Sequence, residues 1–446
     1  MKILHTSDWH LGRTLYGQQR YEEFGAFLSW LGDFIEKEGV DVLLIAGDVF
    51  DTTTPGVRAQ ELYYGFLSRL ASGPCHHVVI TGGNHDSPSF LNAPGPLLAA
   101  LNVHVVGAVS GNPEEEVLLL EFPSGIGFAP EPPVRKERLL VCAVPFLRDR
   151  DVRISEAGES SEDKQARLVA GIRSHYALVC GLAEEKRKAL MAEGSASCFP
   201  RIPLLVMGHL FAAGGSIVEG DGVRDLYVGS LAHVPAAVFP DFADYVALGH
   251  LHGAQKVSGA EHIRYSGAPL AMGFGEAGRV KSLCLITFEL SEEEAPRPGI
   301  SLVPVPVFQE LVRLEGDWET LLQGIASLAE RDASAWLELI YTGEAVKGDL
   351  RESLERAVAD TGLKLLCIKN RQIRAGICTP AEAGESLSDL GVEEVFDRCL
   401  AAHAVPEFQQ EALRQLYKEV LLGLEVEQNA HARADAEPGL RGLGRD

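Results

Sequence analysis

The sequence predicts an α/β protein on a parallel-stranded scaffold, followed by a small α+β domain and a C-terminal helical pair. Three observations carry this. Short, continuous apolar runs such as 42–46 and 77–81 are typical of strands buried on both faces. Each run ends in a polar cluster and is followed by an amphipathic stretch, the βαβ order whose right-handed crossovers bring strand carboxyl ends to one rim. At 291–299 the composition changes to SEEEAPRPG, a linker-like segment that separates this pattern from the next.

The elements follow in order. The apolar start at Ile3-Leu4 runs into Thr6, Ser7, Asp8, Trp9 and His10, as a central strand delivering ligands would. From 21 to 38, Phe24, Phe27, Leu28, Leu31, Phe34 and Ile35 repeat at the three-and-four spacing of a helix with one buried face, and Gly39 ends it. The run 42–46 ends in Gly47-Asp48-Val49-Phe50-Asp51. A helix over 59–70 leads to the run 77–81, which closes in Gly82-Gly83-Asn84-His85-Asp86. A strand over 140–144 and a charged surface helix over 163–188 precede a loop at 194–200. The runs 204–207 and 245–248 then enter Gly208-His209-Leu210 and Gly249-His250-Leu251-His252-Gly253. After a strand over 282–288, the first domain closes near 290.

Beyond the linker, helices near 318–329 and 350–360 alternate with strands over 336–341 and near 363–368, a small α+β domain spanning 300–374. Within 385–428 two amphipathic helices present Val392, Val395, Phe396, Cys399 and Leu400, then Leu413, Leu416, Tyr417, Val420, Leu421 and Leu424. So short a pair buries little by itself, and its stripes must pack on the preceding domain or, as favoured here, on another protein. The tail 429–446 is polar and reads as disordered.

Of 446 residues 46% are hydrophobic, enough for a large core, and no uncharged run is long enough to cross a bilayer. No leader-like segment opens the chain, so the expectation is a cytoplasmic protein. Eight cysteines stand singly, without the C-x-x-C spacing of a zinc knuckle. The net charge of −23 argues against a surface that wraps phosphate backbones unaided; bound divalent metals or a basic partner would have to supply that attraction.

Seven residues with oxygen or nitrogen donors each close an apolar run on the expected rim: Asp8, His10, Asp48, Asn84, His209, His250 and His252. Seven side chains are too many for one tetrahedral ion and suit two ions sharing a carboxylate. Asp48, at the end of a central strand, is the expected bridge. Such a pair activates water and clamps the phosphoryl oxygens of an in-line displacement. His85 is left to orient substrate or protonate the leaving oxygen, with Asp86 or another acid fixing its tautomer. Arg13 and Arg20 lie close to the cluster in sequence, without a role the pattern can assign.

D-x-H, G-D, G-N-H-D, G-H and G-H-x-H, in this order, resemble the calcineurin-like metallophosphoesterase superfamily. The stretches MKILHTSDWHLGR, LLIAGDVFD, ITGGNHDS, MGHLF, YVALGHLHG and YSGAP are similar, more narrowly, to the nuclease subunits of bacterial complexes built with a coiled-coil ATPase. VPVFQELVRLEGD and LKLLCIKN extend the likeness through the second domain, whereas 156–163 and 183–197 match nothing. The resemblance implies a two-sheet αββα sandwich and two divalent ions, with manganese favoured. Asp8, His10, Asp48 and His252 would hold one ion, and Asp48, Asn84, His209 and His250 the other, with His85 catalytic. It further implies exonuclease action from 3′ ends of duplex DNA and endonuclease action on single strands and hairpins. The family works as a homodimer through its catalytic domain, with the second domain capping the site and the C-terminal helices docked on the ATPase. A small-molecule phosphodiesterase of the same superfamily and a non-catalytic DNA-end tether are the alternatives.

Overall fold

The computed structural model describes residues 1–123, 136–153, 159–192, 201–212, 234–289, 297–331, 333–343, 350–371 and six isolated positions beyond. The C-terminal helical pair, apart from those six, and the tail 429–446 lie outside the described residues, as does part of the segments 156–163 and 183–197.

The chain opens with β1 (Lys2–Thr6), a small hairpin of β2 (Thr14–Leu15) and β3 (Gln18–Gln19), and α1 (Tyr21–Glu38). Then come β4 (Val42–Ala46), α2 (Val57–Ala71), β5 (His77–Thr81), the short α3 (Pro88–Asn92) and α4 (Gly95–Ala99), and β6 (Val103–Val106). The next stretch holds β7 (Val117–Pro123), β8 (Lys136–Ala143), α5 (Asp149–Val152), the long α6 (Ser161–Ala192), β9 (Leu204–His209) and β10 (Tyr245–Gly249). It closes with β11 (Gln255–Val257), β12 (Ala260–Tyr265), β13 (Ser282–Phe288) and β14 (Pro298–Pro304).

Two six-stranded sheets result, in the orders β14-β13-β1-β4-β5-β6 and β11-β12-β10-β9-β8-β7. In the first, β1, β4, β5 and β6 run parallel and β13 antiparallel to β1. In the second, β8, β9, β10 and β12 run parallel, flanked by antiparallel β7 and β11. Strand periodicity then sorts the side chains into layers. Along β4, Val42, Leu44 and Ala46 face the second sheet, where they meet Leu205 and Met207 of β9. Leu43 and Ile45 point the other way, into a core with Phe24, Phe27 and Leu31 of α1 and Phe66 and Leu67 of α2. A third core joins Leu204 and Val206 of β9 to Tyr176 and Val179 of α6. Helices, sheet, sheet, helix is the αββα sandwich.

The linker-like segment 291–299 lies inside this sandwich's chain path. β14 pairs antiparallel with β13 along its whole length, from Ser282 opposite Pro304 to Phe288 opposite Pro298. The compact unit therefore runs from Met1 to Arg313, with 332–338 and 361–367 added to it. A charged, proline-containing connection between two hairpin strands has the composition of an interdomain linker, so the sequence alone places the boundary near 290. The second unit comprises 314–331, 339–360 and 368–446. Along 310–370 the elements are β15 (Glu310–Gly316), α7 (Trp318–Glu330), β16 (Ala335–Tyr341), α8 (Leu350–Val358) and β17 (Lys364–Asn370). α7 is capped by Asp317, whose side chain accepts from Thr320 N, and buries Leu321, Ile325 and Leu328.

A buried polar pair sits between the two sheets. His5 of β1 is fully buried, with Nδ1 2.9 Å from the Tyr245 hydroxyl. Burial disfavours its charged form and pushes the imidazole down to about 3. Unfolded chains hold a histidine near 6.5, so between 6.5 and 3 the unfolded state binds more protons. Stability from this group is complete above that window and falls as pH drops through it. Lowering the pH from 7 to 5 is expected to cost about 2 kcal/mol through His5 alone. Urea unfolding of wild type and His5→Asn at the two pH values checks this; equal pH dependence of the two proteins would refute it.

Candidate metal centre

All seven predicted donors lie just past the carboxyl ends of strands, and the structure brings them together. Sheet one contributes Asp8 and His10 after β1, Asp48 after β4 and Asn84 after β5. Sheet two contributes His209 at the end of β9 and His250 and His252 after β10. Asp8, His10, Asp48, His209, His250 and His252 are all buried. Donor atoms of Asp8, His10 and His252 lie within 4.8 Å of one another, as do those of Asp8, Asp48 and His209, and those of His10, Asp51 and His85.

The backbone is bent to achieve this. Asp8, His10, Asp48 and His250 have φ of 53°, 48°, 51° and 104°, left-handed conformations that cost non-glycine residues energy and cluster at functional sites. Hydrogen bonds from Asp8 N to Gly47 O and His10 N to Asp48 O, both 3.0 Å, prolong the β1–β4 pairing into these loops. The glycines of the motifs make room: a Cβ on Gly83 would collide with Asp48 Oδ1, and one on Gly249 with Ala46 O.

Asp48 is central. Its Oδ2 lies 3.3 Å from His209 Nε2 and 3.8 Å from His10 Nε2, and its Oδ1 accepts from His85 N at 2.9 Å. Burial opposes charge on this carboxylate, yet His209 and His10 hold it well below the usual range. Burial likewise disfavours charge on His209, but Asp48 and Asp8 lift it to about 9. Asp8 is pushed up to about 7 by burial, and His250 down to about 3 by burial and the His209 charge.

Ring orientation is set from outside. His209 Nδ1 lies 2.9 Å from Ala46 O, which can only accept, so the proton sits on Nδ1 and Nε2 faces the cluster. His209 Nε2 and His250 Nδ1 both approach Asn84 Oδ1, at 3.0 and 3.1 Å. His10 Nε2 and His252 Nε2 are 3.1 Å apart. Asp8 accepts from His250 N at 2.9 Å and from Ser7 Oγ at 2.5 Å.

His85 lies beside this ring of donors, its imidazole edge-on to His10 with centroids 4.9 Å apart. Its Nδ1 donates to Asp51 O at 2.9 Å. Asp86 does not orient it. That carboxylate is fully buried and instead accepts from Val49 N, Phe50 N and Gly83 N, at 3.1, 2.9 and 2.9 Å, stitching the loops after β4 and β5 together. Sequence reasoning missed Asp51, whose Oδ1 lies 3.4 Å from His10 Nδ1 and 3.2 Å from Arg13 Nη1. An acid three residues past Asp48 in GDVFD was the available signal. Also missed was Lys281, whose Nζ donates to His252 O at 3.0 Å and pairs with buried Glu276.

Two family models match the chain: calcineurin-like phosphoesterase over residues 1–130, and a model described as type 5 capsule protein repressor C-terminal domain over residues 307–404. The chain is 34% identical over 436 residues to SbcD, the D component of the nuclease SbcCD, from Escherichia coli K12, covering 96% of this chain and all of that protein. Its identity to the same-named protein of Rhodobacter capsulatus is 36%, over 74% of each chain. The Bacillus subtilis counterpart is 32% identical, over 76% of this chain and 78% of that one. The chain belongs to the SbcD nuclease family. It is a metal-dependent hydrolase of the phosphoesterase type.

The donor set fits the divalent ions that the SbcD family implies. Among the described residues His250 Nε2 is buried without a hydrogen-bond partner, and paired imidazole nitrogens face each other or a single amide oxygen, arrangements that a shared cation would resolve. Nitrogen and oxygen donors without thiolate suit manganese, iron, cobalt or zinc. Among the described residues no helix is long and apolar enough to cross a membrane.

Proposed function

We propose that this chain is a manganese-dependent DNA nuclease, acting as a 3′-to-5′ exonuclease on duplex ends and an endonuclease on single strands and hairpins. It works as a homodimer with an SbcC-type coiled-coil ATPase. The observation that carries the reading is the set of seven donors gathered around Asp48 at the meeting of the two sheets, six of them buried.

Asp8, His10, Asp48 and His252 would hold one ion, and Asp48, Asn84, His209 and His250 the other. Bound there, two ions would supply the activation of a water and offset charge on the phosphoryl oxygens. The chain's own residues do the rest. His209 is fixed with Nε2 inward by Ala46 O, Asp51 faces the outer nitrogen of His10, and the left-handed turns hold the carboxylates before substrate arrives. His85 carries its proton on Nδ1 against Asp51 O, so Nε2 is the atom that gains and gives up a proton, delivered to the leaving oxygen.

The net charge of −23 makes an unaided grip on DNA weak, so the ATPase is the expected source of positive surface. Cleavage of an end-labelled duplex with manganese, with and without that ATPase and ATP, tests the reading. Metal-dependent cleavage stimulated by the partner is expected; turnover of cyclic nucleotides with no cleavage of DNA would replace it with a small-molecule phosphodiesterase. Deleting 392–424 is expected to abolish ATPase binding in pull-down while bis(p-nitrophenyl) phosphate hydrolysis persists. Retained binding would refute the docking role of these helices.

A further inference from the structure

Two of the loops that carry donors run on into the wall of a cavity. After His10 the chain passes through the β2–β3 hairpin to the start of α1, and after Asp48 it reaches the start of α2. Between them lies a cavity of about 440 Å³, within the range of small-ligand sites. All of its lining residues belong to the first compact unit.

The lining has a definite chemistry. Tyr21, Phe308 and Trp336 supply three aromatic rings, each only partly buried. Trp336 rests on Leu15, Phe274 and Leu311, which stiffens it as a platform. The Arg58 guanidinium lies 4.9 Å from the centre of the Tyr21 ring. Arg20 is 2% exposed and forms a two-pronged pair with Glu23, Nε to Oε2 at 2.7 Å and Nη2 to Oε1 at 2.9 Å. The same guanidinium lies 5.5 Å from the centre of the Phe24 ring, so Arg20 braces the wall. Gln19 adds an amide that donates and accepts, whereas the Gln18 amide is taken up by Gln19 O and Lys364 Nζ.

Charge decides what fits. Arg20 and Arg58 are matched by Glu22 and Glu23, so the cavity is balanced and makes a poor phosphate trap. Flat rings, the Gln19 amide and the exposed Arg58 guanidinium suit a neutral, planar ligand with hydrogen-bonding edges. That is a nucleobase out of its helix, which proteins recognise by stacking on aromatics and arginine and by hydrogen bonds to its edges. We infer that this cavity receives one unpaired base of the DNA strand whose phosphodiester lies at the metal centre. The inference rests on the nuclease reading above. It gives the enzyme a way to set the register of the strand without reading sequence, because every base has a face to stack.

Single-stranded oligonucleotides, each with one abasic nucleotide at a different distance from the labelled end, test this with the full chain, manganese and the ATPase. For wild type, one position is expected to raise KM about tenfold or more when its base is removed. Trp336→Ala and Arg58→Ala should each raise KM for the intact strand and erase that positional sensitivity. Both should leave bis(p-nitrophenyl) phosphate hydrolysis unchanged. Arg58 is exposed, so its variant keeps the test open should the Trp336 variant fold poorly. DNA cleavage with no sensitive position, or sensitivity that survives both substitutions, would overturn the base pocket and leave the nuclease intact. Hydrolysis of the small phosphodiester with no DNA cleavage at all would instead overturn the nuclease reading, and the pocket with it.

Discussion

Asp48→Asn is expected to fold and yet to lose DNA cleavage by about a thousandfold, with manganese binding reduced from two ions to at most one. The argument is geometric. Asn has the shape of Asp, and its remaining oxygen can still accept from His85 N, so the loop after β5 keeps its anchor. What disappears is the negative charge that faces both His209 and His10, which are contributed by different sheets. A neutral amide cannot offset two cations, and the His209 ring loses the neighbour that lifts it to about 9. Calorimetric titration with manganese reads the stoichiometry, and the end-labelled duplex reads the rate. Two ions bound with wild-type affinity would exclude Asp48 as the bridge.

His85→Ala should separate binding from chemistry. The Asp48 contact is made by the His85 backbone N–H, which alanine retains, and the seven donors do not include this ring. Manganese stoichiometry is therefore expected to stay at two, while cleavage falls by about a hundred- to ten-thousandfold, the usual size of a lost general acid. A leaving group that needs no proton tells the roles apart. With bis(p-nitrophenyl) phosphate the loss should shrink markedly, because nitrophenolate departs unprotonated. An equal loss on both substrates would assign His85 to substrate positioning, and unchanged DNA cleavage would remove it from the reaction.

The parts of this fold that could be read in the sequence are those with one dominant physical demand. β4 and β5 lie inside their sheet, so 42–46 and 77–81 appear as unbroken apolar runs and end where the structure ends them. α1 has one buried face and a glycine in the left-handed conformation after it, so its span is equally plain. Edge strands carry weaker signals. β6 has only four residues with one fully buried, and β14, at the rim, is mostly exposed and bounded by prolines; neither stands out in the sequence. The donors could be found because each follows a buried run. Their partners could not, because neighbours in sequence diverge in space: Asp86 adjoins His85 but turns its carboxylate to three backbone N–H groups. Asp51, which does face the cluster, is one acid among 63 Asp and Glu until the fold places it.

The donor ring is divided between the layers of the sandwich, four residues from the first sheet and three from the second. Elsewhere the sheets meet largely through the apolar contacts of Val42, Leu44, Leu205 and their neighbours, which can slide apart residue by residue. An ion held by donors of both sheets would be a different kind of joint. To separate the layers, bonds to both would have to break in one step, and that cost would fall on the barrier to unfolding. Metal supply would then govern how long each molecule lasts as well as how fast it cuts. Manganese should slow the unfolding rate in urea more than it speeds refolding, and chelation should make an inactive protein into a short-lived one.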